Sequence, residues 1–160
     1  MAKDKHPATV AVRVLREHGV AFTHHPYVWE ERGGTEVSAR ELGVPEHAVI
    51  KTLIMEDDAK RPLVVLMHGD REVSTKNLAR HLGVKTVAPC APAVADRHSG
   101  YQVGGTSPFG TRRAMPVYMQ HTIAELPYLY INGGRRGYLV GMTPAELIRV
   151  LKPVAAEIAA

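Results

Sequence analysis

Residues 100–116 hold the densest set of groups in this sequence that could do chemistry. The segment reads Gly-Tyr-Gln-Val-Gly-Gly-Thr-Ser-Pro-Phe-Gly-Thr-Arg-Arg-Ala-Met-Pro. Gly104, Gly105 and Gly110 can adopt positive φ and carry no Cβ that would keep a ligand away, and Pro108 stiffens the turn between them. A segment of this kind exposes its backbone to a bound molecule.

The residues after the glycine pair extend this interpretation. The amides of Gly105, Thr106 and Ser107 could converge on one carbonyl or phosphate oxygen and stabilise negative charge there. The alternative is a plain glycine-rich turn between two strands, the first of them Tyr101–Val103.

A single lysine stands in an apolar run about fifty residues upstream. The run Val49–Met55 is typical of a buried strand, and Lys51 is its one charged member. Such a lysine either extends its ammonium to solvent from an edge strand or projects into a polar cleft. The sequence leaves both interpretations open.

The composition predicts one cytosolic domain spanning residues 1–160. Hydrophobic residues make up 45% of the chain and charged residues 22%, as in ordinary globular proteins. No apolar run approaches the ~20 residues of a membrane span, and Met1–Pro7 precedes an amphipathic stretch instead of a signal-peptide core. The single Cys90 cannot form an internal disulfide and is expected to be a buried thiol.

The charge and the histidines restrict the function classes further. The net charge is +4, and the excess is clustered at Arg112–Arg113 and Arg135–Arg136. This is compatible with a polyanionic partner, although many basic domains bind no nucleic acid. The nine histidines show no metal-binding spacing, so neither a metal nor another cofactor is expected.

Helices and strands must position these groups, and the pattern predicts an α+β domain. Helices are expected at residues 7–18, 36–42, 74–82, 92–98 and 143–151, the third and fifth capped by Ser74 and Thr143 and the second by Thr35. Strands are expected at residues 20–29, 49–55, 63–67, 84–88, 115–119, 128–131 and 138–140. Because they do not alternate strictly, we expect a mixed, mainly antiparallel sheet with flanking helices.

Three separated segments together resemble the YbaK/ProX family of freestanding aminoacyl-tRNA editing domains, relatives of the editing domain inserted in bacterial prolyl-tRNA synthetase. They are Val49-Ile50-Lys51-Thr52-Leu53, the loop from Gly100 to Gly110, and Tyr130-Ile131-Asn132-Gly133-Gly134-Arg135-Arg136-Gly137. Their order and spacing fit, so the resemblance covers essentially the whole chain.

The resemblance implies deacylation of a mischarged tRNA at its 3′-terminal adenosine. It assigns Lys51 to the phosphate or sugar of the terminal nucleotide, a task that suits a point charge. It assigns the loop from Gly104 to Pro108 to the carbonyl region of the amino acid, with backbone amides stabilising the oxyanion. An activated ester needs no catalytic triad or metal if water, or the thiol of a cysteine substrate, attacks it.

The other candidate residues each keep an alternative. Ser107 is expected to hydrogen-bond substrate or simply to cap the turn, because Gly105-Thr106-Ser107-Pro108 is not a nucleophile elbow. Tyr27 is expected near the pocket entrance or in the core. Thr52 is a weak candidate, since strand alternation points it away from the face of Lys51. Arg136 is expected to grip the tRNA backbone or to be a plain turn arginine.

One position bears on the substrate. Leu139 stands where several cysteinyl-tRNA(Pro) deacylases carry an acid, so a carboxylate contact to the amino group must come from elsewhere. The loop sequence from Gly104 to Gly110 resembles most the cysteine-specific branch of the family, which implies cysteine as the amino acid removed. Alanine or broader specificity stays open, because a small pocket separates single methylene groups by only ~1–3 kcal/mol. Prolyl-tRNA synthetase is a possible partner for choosing the tRNA.

Two non-enzymatic hypotheses compete with this interpretation. The first is a protein of the same fold that binds a nucleotide or aminoacylated end without turnover. The second is a small basic RNA-binding module, which ranks last because RNP-like aromatic residues and a KH-type GxxG context are absent.

Overall fold

The fold is built on an eight-stranded mixed sheet, which a computed structural model describes for residues 6–160. The strands are β1 (Thr23–Pro26), β2 (Val49–Asp57), β3 (Pro62–His68), β4 (Val87–Pro89), β5 (Val117–Gln120), β6 (Leu129–Arg135), β7 (Tyr138–Met142) and β8 (Val154–Ala156). The helices are α1 (Val10–Glu17), α2 (Gly34–Leu42), α3 (Thr75–Leu82), α4 (Pro92–Ser99) and α5 (Pro144–Leu151). Residues 1–5, on which the expectation of no signal peptide partly rests, lie outside the described residues.

The strand order is β1-β7-β6-β2-β3-β5-β8, with β4 pairing a second part of β2. The pairs β1/β7, β2/β3, β2/β4 and β6/β7 are antiparallel, and β2/β6, β3/β5 and β5/β8 are parallel. The predicted α+β class with a mixed, mainly antiparallel sheet is confirmed.

The sheet splits along one edge of β2. β6 pairs with β2 only at Val49 and Ile50, and β4 pairs with it only from Met55 to Asp57. The register with β3 places the odd-numbered residues of β2 in hydrogen-bonded pairs, as the bond from Gly69 N to Val49 O shows. The backbone groups of the even-numbered residues therefore face the opposite edge. Between the two pairings, Thr52 directs its amide and carbonyl into the split.

Local sequence signals fix most helix ends. The hydroxyl oxygens of Ser74 and Thr143 accept from the amides three residues later, as predicted. Helix α1 is shorter than predicted, because Thr9 and not Pro7 begins it by capping Val12 N. The predicted cap at Thr35 is wrong: the residue lies inside α2, and its hydroxyl donates instead to Glu46 Oε2 and the Gly69 carbonyl.

Several strand predictions are displaced for identifiable reasons. The first strand covers only Thr23–Pro26 of the predicted residues 20–29. The strand expected at 84–88 begins at Val87, because Val84 N closes the end of α3 and the amides of Lys85 and Thr86 bind Asp58 Oδ1. The strand-like Tyr101–Val103 is a turn, and β8 was not predicted.

Side chains on both faces of the sheet are buried. The largest cluster packs α1, α4 and α5 against strand residues that include Ile50, Ile54 and Leu66. A small cluster of Ala39, Val49 and Leu139 joins α2 to the other face of β2. Cys90 is buried and free, as expected. Among the described residues no helix combines the length and apolarity that crossing a membrane requires.

Candidate active site

A cavity of about 630 Å³ opens at the split in the sheet. Its walls come from residues 27–32, α2, the middle of β2, α4, the glycine-rich loop and the β6–β7 turn. Of the predicted site residues, Tyr27, Lys51, Thr52, Gly104, Thr106, Arg136 and Leu139 line it. The four others, Gly105, Ser107, Pro108 and Gly110, do not. Seven positions spread over 113 residues of sequence thus meet in one space of ligand size.

The split explains why two neighbours on one strand both reach the cavity. Lys51 shares its face with Val49, which packs on α2, whereas Thr52 shares its face with Ile50 and Ile54, which pack in the cluster that contains Ala95 of α4. The expected alternation is therefore present, and no bulge is needed. Because the cavity passes through the sheet edge, residues from both faces of β2 line it.

Thr52 has an unsatisfied hydroxyl. Its Oγ1 is buried and is the one buried side-chain polar atom among the described residues that lacks a hydrogen-bond partner. Buried hydroxyl groups are normally paired. Thr52 therefore lines the cavity with a hydroxyl that is buried and unpaired, and with backbone groups that face the split.

Lys51 is mostly buried and is the one lysine among the described residues that line the cavity. Its side chain is 18% exposed, and Nζ lies 3.2 Å from Oε1 of Glu72. Strand β2 lies between β6 and β3, so Lys51 does not stand on an edge strand, and the residue lines a cleft.

The glycine-rich loop has a different amide arrangement from the one predicted. Gly105 N donates to Gln102 O at 2.7 Å, so this amide closes a turn and does not point to a shared oxygen. Among the described residues no acceptor is seen for the amides of Thr106 and Ser107. The prediction of three converging amides is therefore wrong for Gly105.

Ser107 lies beneath the loop surface. The residue is fully buried, and its Oγ accepts from Phe109 N at 3.2 Å. The Tyr101 hydroxyl donates to the Phe109 carbonyl, and burial raises the pKa of Tyr101 to about 12. In this conformation Ser107 caps the turn, the second of its two expected roles.

Pro108 and Gly110 belong to the packing of the same loop. Pro108 is buried, and a Cβ at Gly110 would lie 2.6 Å from Val10 Cγ1 of α1. Neither residue lines the cavity, so the structure shows no contact that supports their predicted role in substrate binding.

The β6–β7 turn holds the loop in place. Arg136 Nε donates to Val103 O at 2.9 Å, and Asn132 Nδ2 donates to Gly104 O at 3.3 Å. Asn132 is itself fixed, because its Oδ1 accepts from the amides of Gly134 and Arg135. These contacts give Arg136 a structural role beside the predicted grip on the tRNA backbone.

One wall of the cavity is apolar. Leu139 is 4% exposed and packs with Ala39 and Val49, and Tyr27 packs against the same cluster. Burial raises the pKa of the Tyr27 phenol, so it stays protonated at neutral pH. Strand β7 supplies no carboxylate here, but Glu30 and Glu31 line the cavity from the preceding loop. Glu30 is bound to Arg40 at 3.2 Å.

Some cavity residues were missed from the sequence. Trp29 and Asn132 line the cavity, and Glu72 contacts Lys51 from outside it. Trp29 is the single tryptophan of the chain, which is only a weak sign of a site residue. For Asn132 the available sign is its position next to the glycine pair Gly133–Gly134. Nothing in the sequence links Glu72 to Lys51. Within residues 6–160 no group of three or more His, Cys, Asp or Glu side chains is arranged to hold a metal ion.

Comparison with known proteins identifies the family of this chain. The profile of the aminoacyl-tRNA editing domain matches residues 30–150. A protein of Enterococcus faecalis, provisionally named a Cys-tRNA(Pro)/Cys-tRNA(Cys) deacylase, is 28% identical over 160 residues, covering 99% of this chain and 98% of that one. The proline–tRNA ligase of Moorella thermoacetica is 34% identical over 110 residues, 66% of this chain but only 18% of the ligase.

Solved structures share the fold. One described as a candidate trans-editing enzyme for prolyl-tRNA synthetase aligns with a TM-score of 0.82 and 19% identity, covering 97% of this chain and 99% of that one. A second, described only as a hypothetical protein, aligns with a TM-score of 0.86 and 22% identity over 94% of this chain and 99% of that one.

Proposed function

This chain belongs to the aminoacyl-tRNA editing domain family, and on that premise we propose that it is a trans-editing deacylase. Its substrate would be a mischarged tRNA(Pro), with cysteine as the amino acid removed. The observation that carries the proposal is the cavity that Lys51 shares with Gly104 and Thr106 of the glycine-rich loop.

The geometry supports a division of tasks. The Lys51 ammonium binds the phosphate or sugar of the terminal adenosine and so orients the ester. The loop faces the ester carbonyl, where the Thr106 amide is available to the oxyanion. Water adds to the carbonyl carbon, and the 3′ oxygen of the ribose leaves with a proton. The ester is labile, so positioning supplies most of the acceleration.

A cysteine substrate allows a second route. Its thiol sulfur attacks its own ester carbonyl, the thiol proton passes to the leaving 3′ oxygen, and the amino acid departs as a cyclic thioester. The protein would then act as a lyase. Both routes use the same contacts to the adenosine and carbonyl.

The cavity wall bears on amino-acid choice. Leu139 and Val49 make the wall apolar, which suits a small side chain such as that of cysteine or alanine. The amino group needs a counter-charge, and Glu31 is the cavity carboxylate for which no ion pair is seen among the described residues. We assign it that task. Removal of alanine is the second candidate specificity.

Selection of the correct tRNA would require a second protein. A domain of this size has little surface for reading a whole tRNA, so we propose that prolyl-tRNA synthetase presents the mischarged end in the cytoplasm. The match to a segment of proline–tRNA ligase supports a common substrate end.

A time course of deacylation tests the proposal. Wild type and Lys51→Ala are compared on Cys-tRNA(Pro), Ala-tRNA(Pro) and Pro-tRNA(Pro). We expect lysine-dependent loss of the cysteinyl ester, with the prolyl ester spared. Survival of all three esters, with tRNA binding intact, would make this a binding protein and reject the enzyme. Equal rates for wild type and Lys51→Ala would reject the assigned site.

A further inference from the structure

The ammonium of Lys51 forms an ion pair with a carboxylate that lies outside the cavity. Nζ lies 3.2 Å from Glu72 Oε1, where the lysine side chain is 18% exposed and the glutamate side chain 85% exposed. Glu72 does not line the cavity. Among the described residues it is the one carboxylate paired with Lys51, and it approaches from the solvent side.

The backbone that carries Glu72 is held on both sides. Ala160 N donates to Glu72 O at 2.8 Å, and Ser74 N donates to Ile158 O at 2.8 Å. Val73 and Ala159 form an antiparallel bridge between these bonds. On the other side, Arg71 N donates to His68 O at 3.1 Å. The backbone of this loop is therefore held in place by hydrogen bonds, and it positions the exposed Glu72 side chain next to Lys51.

This arrangement gives a reversible contact. A largely buried cation without a counter-ion is unfavourable, so a carboxylate near Lys51 stabilises the empty cavity. An ion pair in which one partner is mostly exposed is weak, however, because water competes for the carboxylate. A phosphate group can therefore displace Glu72, whose side chain is free to turn into solvent.

We propose that Glu72 is a displaceable counter-ion that positions Lys51 in the empty site and competes with the anionic 3′ end of the tRNA for it. The inference rests on the proposed function, because it takes the tRNA end as the ligand of Lys51. It makes Glu72 a positioning residue that sets substrate affinity, while the chemical step proceeds with Glu72 displaced.

Steady-state deacylation of Cys-tRNA(Pro) by wild type and Glu72→Gln tests this. We expect KM to fall about three- to tenfold with kcat within twofold of wild type, and the difference to shrink as salt is raised. Asp70→Asn is the matched control, because Asp70 lies in the same loop and binds His47 at 2.8 Å. It removes the same charge and should change KM by less than twofold.

Measuring the affinity for uncharged tRNA tests the same inference without relying on turnover. We expect Glu72→Gln to tighten binding in the wild-type background and to have no effect in the Lys51→Ala background. An unchanged or raised KM for Glu72→Gln, an equal effect of Asp70→Asn, or tightening that persists without Lys51 would each overturn the inference. If wild type shows no deacylation, the proposed function fails, and the binding comparison still decides the role of Glu72.

Discussion

The guanidinium carbon of Arg136 lies 4.4 Å from the centroid of the Trp29 ring. The same side chain donates from Nε to Val103 O, so one arginine joins the loop before α2 to the glycine-rich loop. Both loops line the cavity. The contact therefore sets the distance between two walls of the site.

Replacing Arg136 separates this positioning role from a grip on the tRNA phosphates. Lysine keeps the charge but loses the planar group that stacks on Trp29 and the Nε–H that reaches Val103. We expect kcat/KM to fall about tenfold for both Arg136→Ala and Arg136→Lys, in line with a cation–π contact worth ~0.5–2 kcal/mol plus a hydrogen bond. Near-wild-type kinetics for Arg136→Lys would instead assign Arg136 to phosphate binding.

Gly105 is predicted to tolerate no side chain, because the loop rests directly on the β6–β7 turn. A Cβ at Gly105 would lie 2.7 Å from Arg136 N and 2.9 Å from Arg135 C, both backbone atoms. We expect Gly105→Ala to lower the free energy of unfolding by ~1–3 kcal/mol and to reduce deacylation more than tenfold by shifting Gly104 and Thr106.

The control for this loop is Gly19→Ala. Gly19 has φ of 63° and no atom within 4 Å of an added Cβ, so alanine there costs ~1–2 kcal/mol of backbone strain. Activity should be retained. Equal loss of activity in both variants would mean that instability, and not loop position, explains the Gly105 result.

Stability should decrease below neutral pH because of His68. The ring is fully buried, Nδ1 donates to His47 O, and Nε2 accepts from the Thr122 hydroxyl. Burial is the main cause that lowers the pKa of His68. The unfolded chain therefore takes up a proton that the folded chain does not, and stability is lost as pH falls below ~6.5, by at most ~1.4 kcal/mol per pH unit.

Urea unfolding between pH 8 and 5 measures this loss. His68→Asn keeps a donor for His47 O and should flatten the decline, although it lowers stability at pH 8. His18→Asn, at an exposed helix end, controls for the substitution and should keep the wild-type slope. An unchanged slope in His68→Asn would assign the pH dependence to other groups.

The sequence was informative where one residue type is unusual in its setting. A lysine in an apolar strand and glycines beside hydroxyl residues indicated Lys51 and the loop, and cap residues such as Ser74 indicated helix ends. The split beside β2 could not be predicted, because it depends on where β6 and β4 leave that strand. Contacts across it, such as Lys51 with Glu72, follow from this tertiary arrangement. The inward position of Ser107 likewise depends on Phe109.

Thr52 offers a test in which stability and activity change independently. Its buried Oγ1 has no partner in the described part of the chain, so the hydroxyl already carries a desolvation cost in the empty site. Thr52→Val replaces it with a methyl group of similar size. We expect the free energy of unfolding to stay the same or to rise by ~1 kcal/mol. If the hydroxyl binds the substrate, kcat/KM should nevertheless fall about two- to tenfold, since a lost hydrogen bond costs ~0.5–1.5 kcal/mol and valine cannot replace it. Thr52→Ser keeps the hydroxyl and should keep most of the activity. Full activity in Thr52→Val would show that the hydroxyl has no role in the reaction and would leave the backbone of Thr52 as the part of this residue that faces the split.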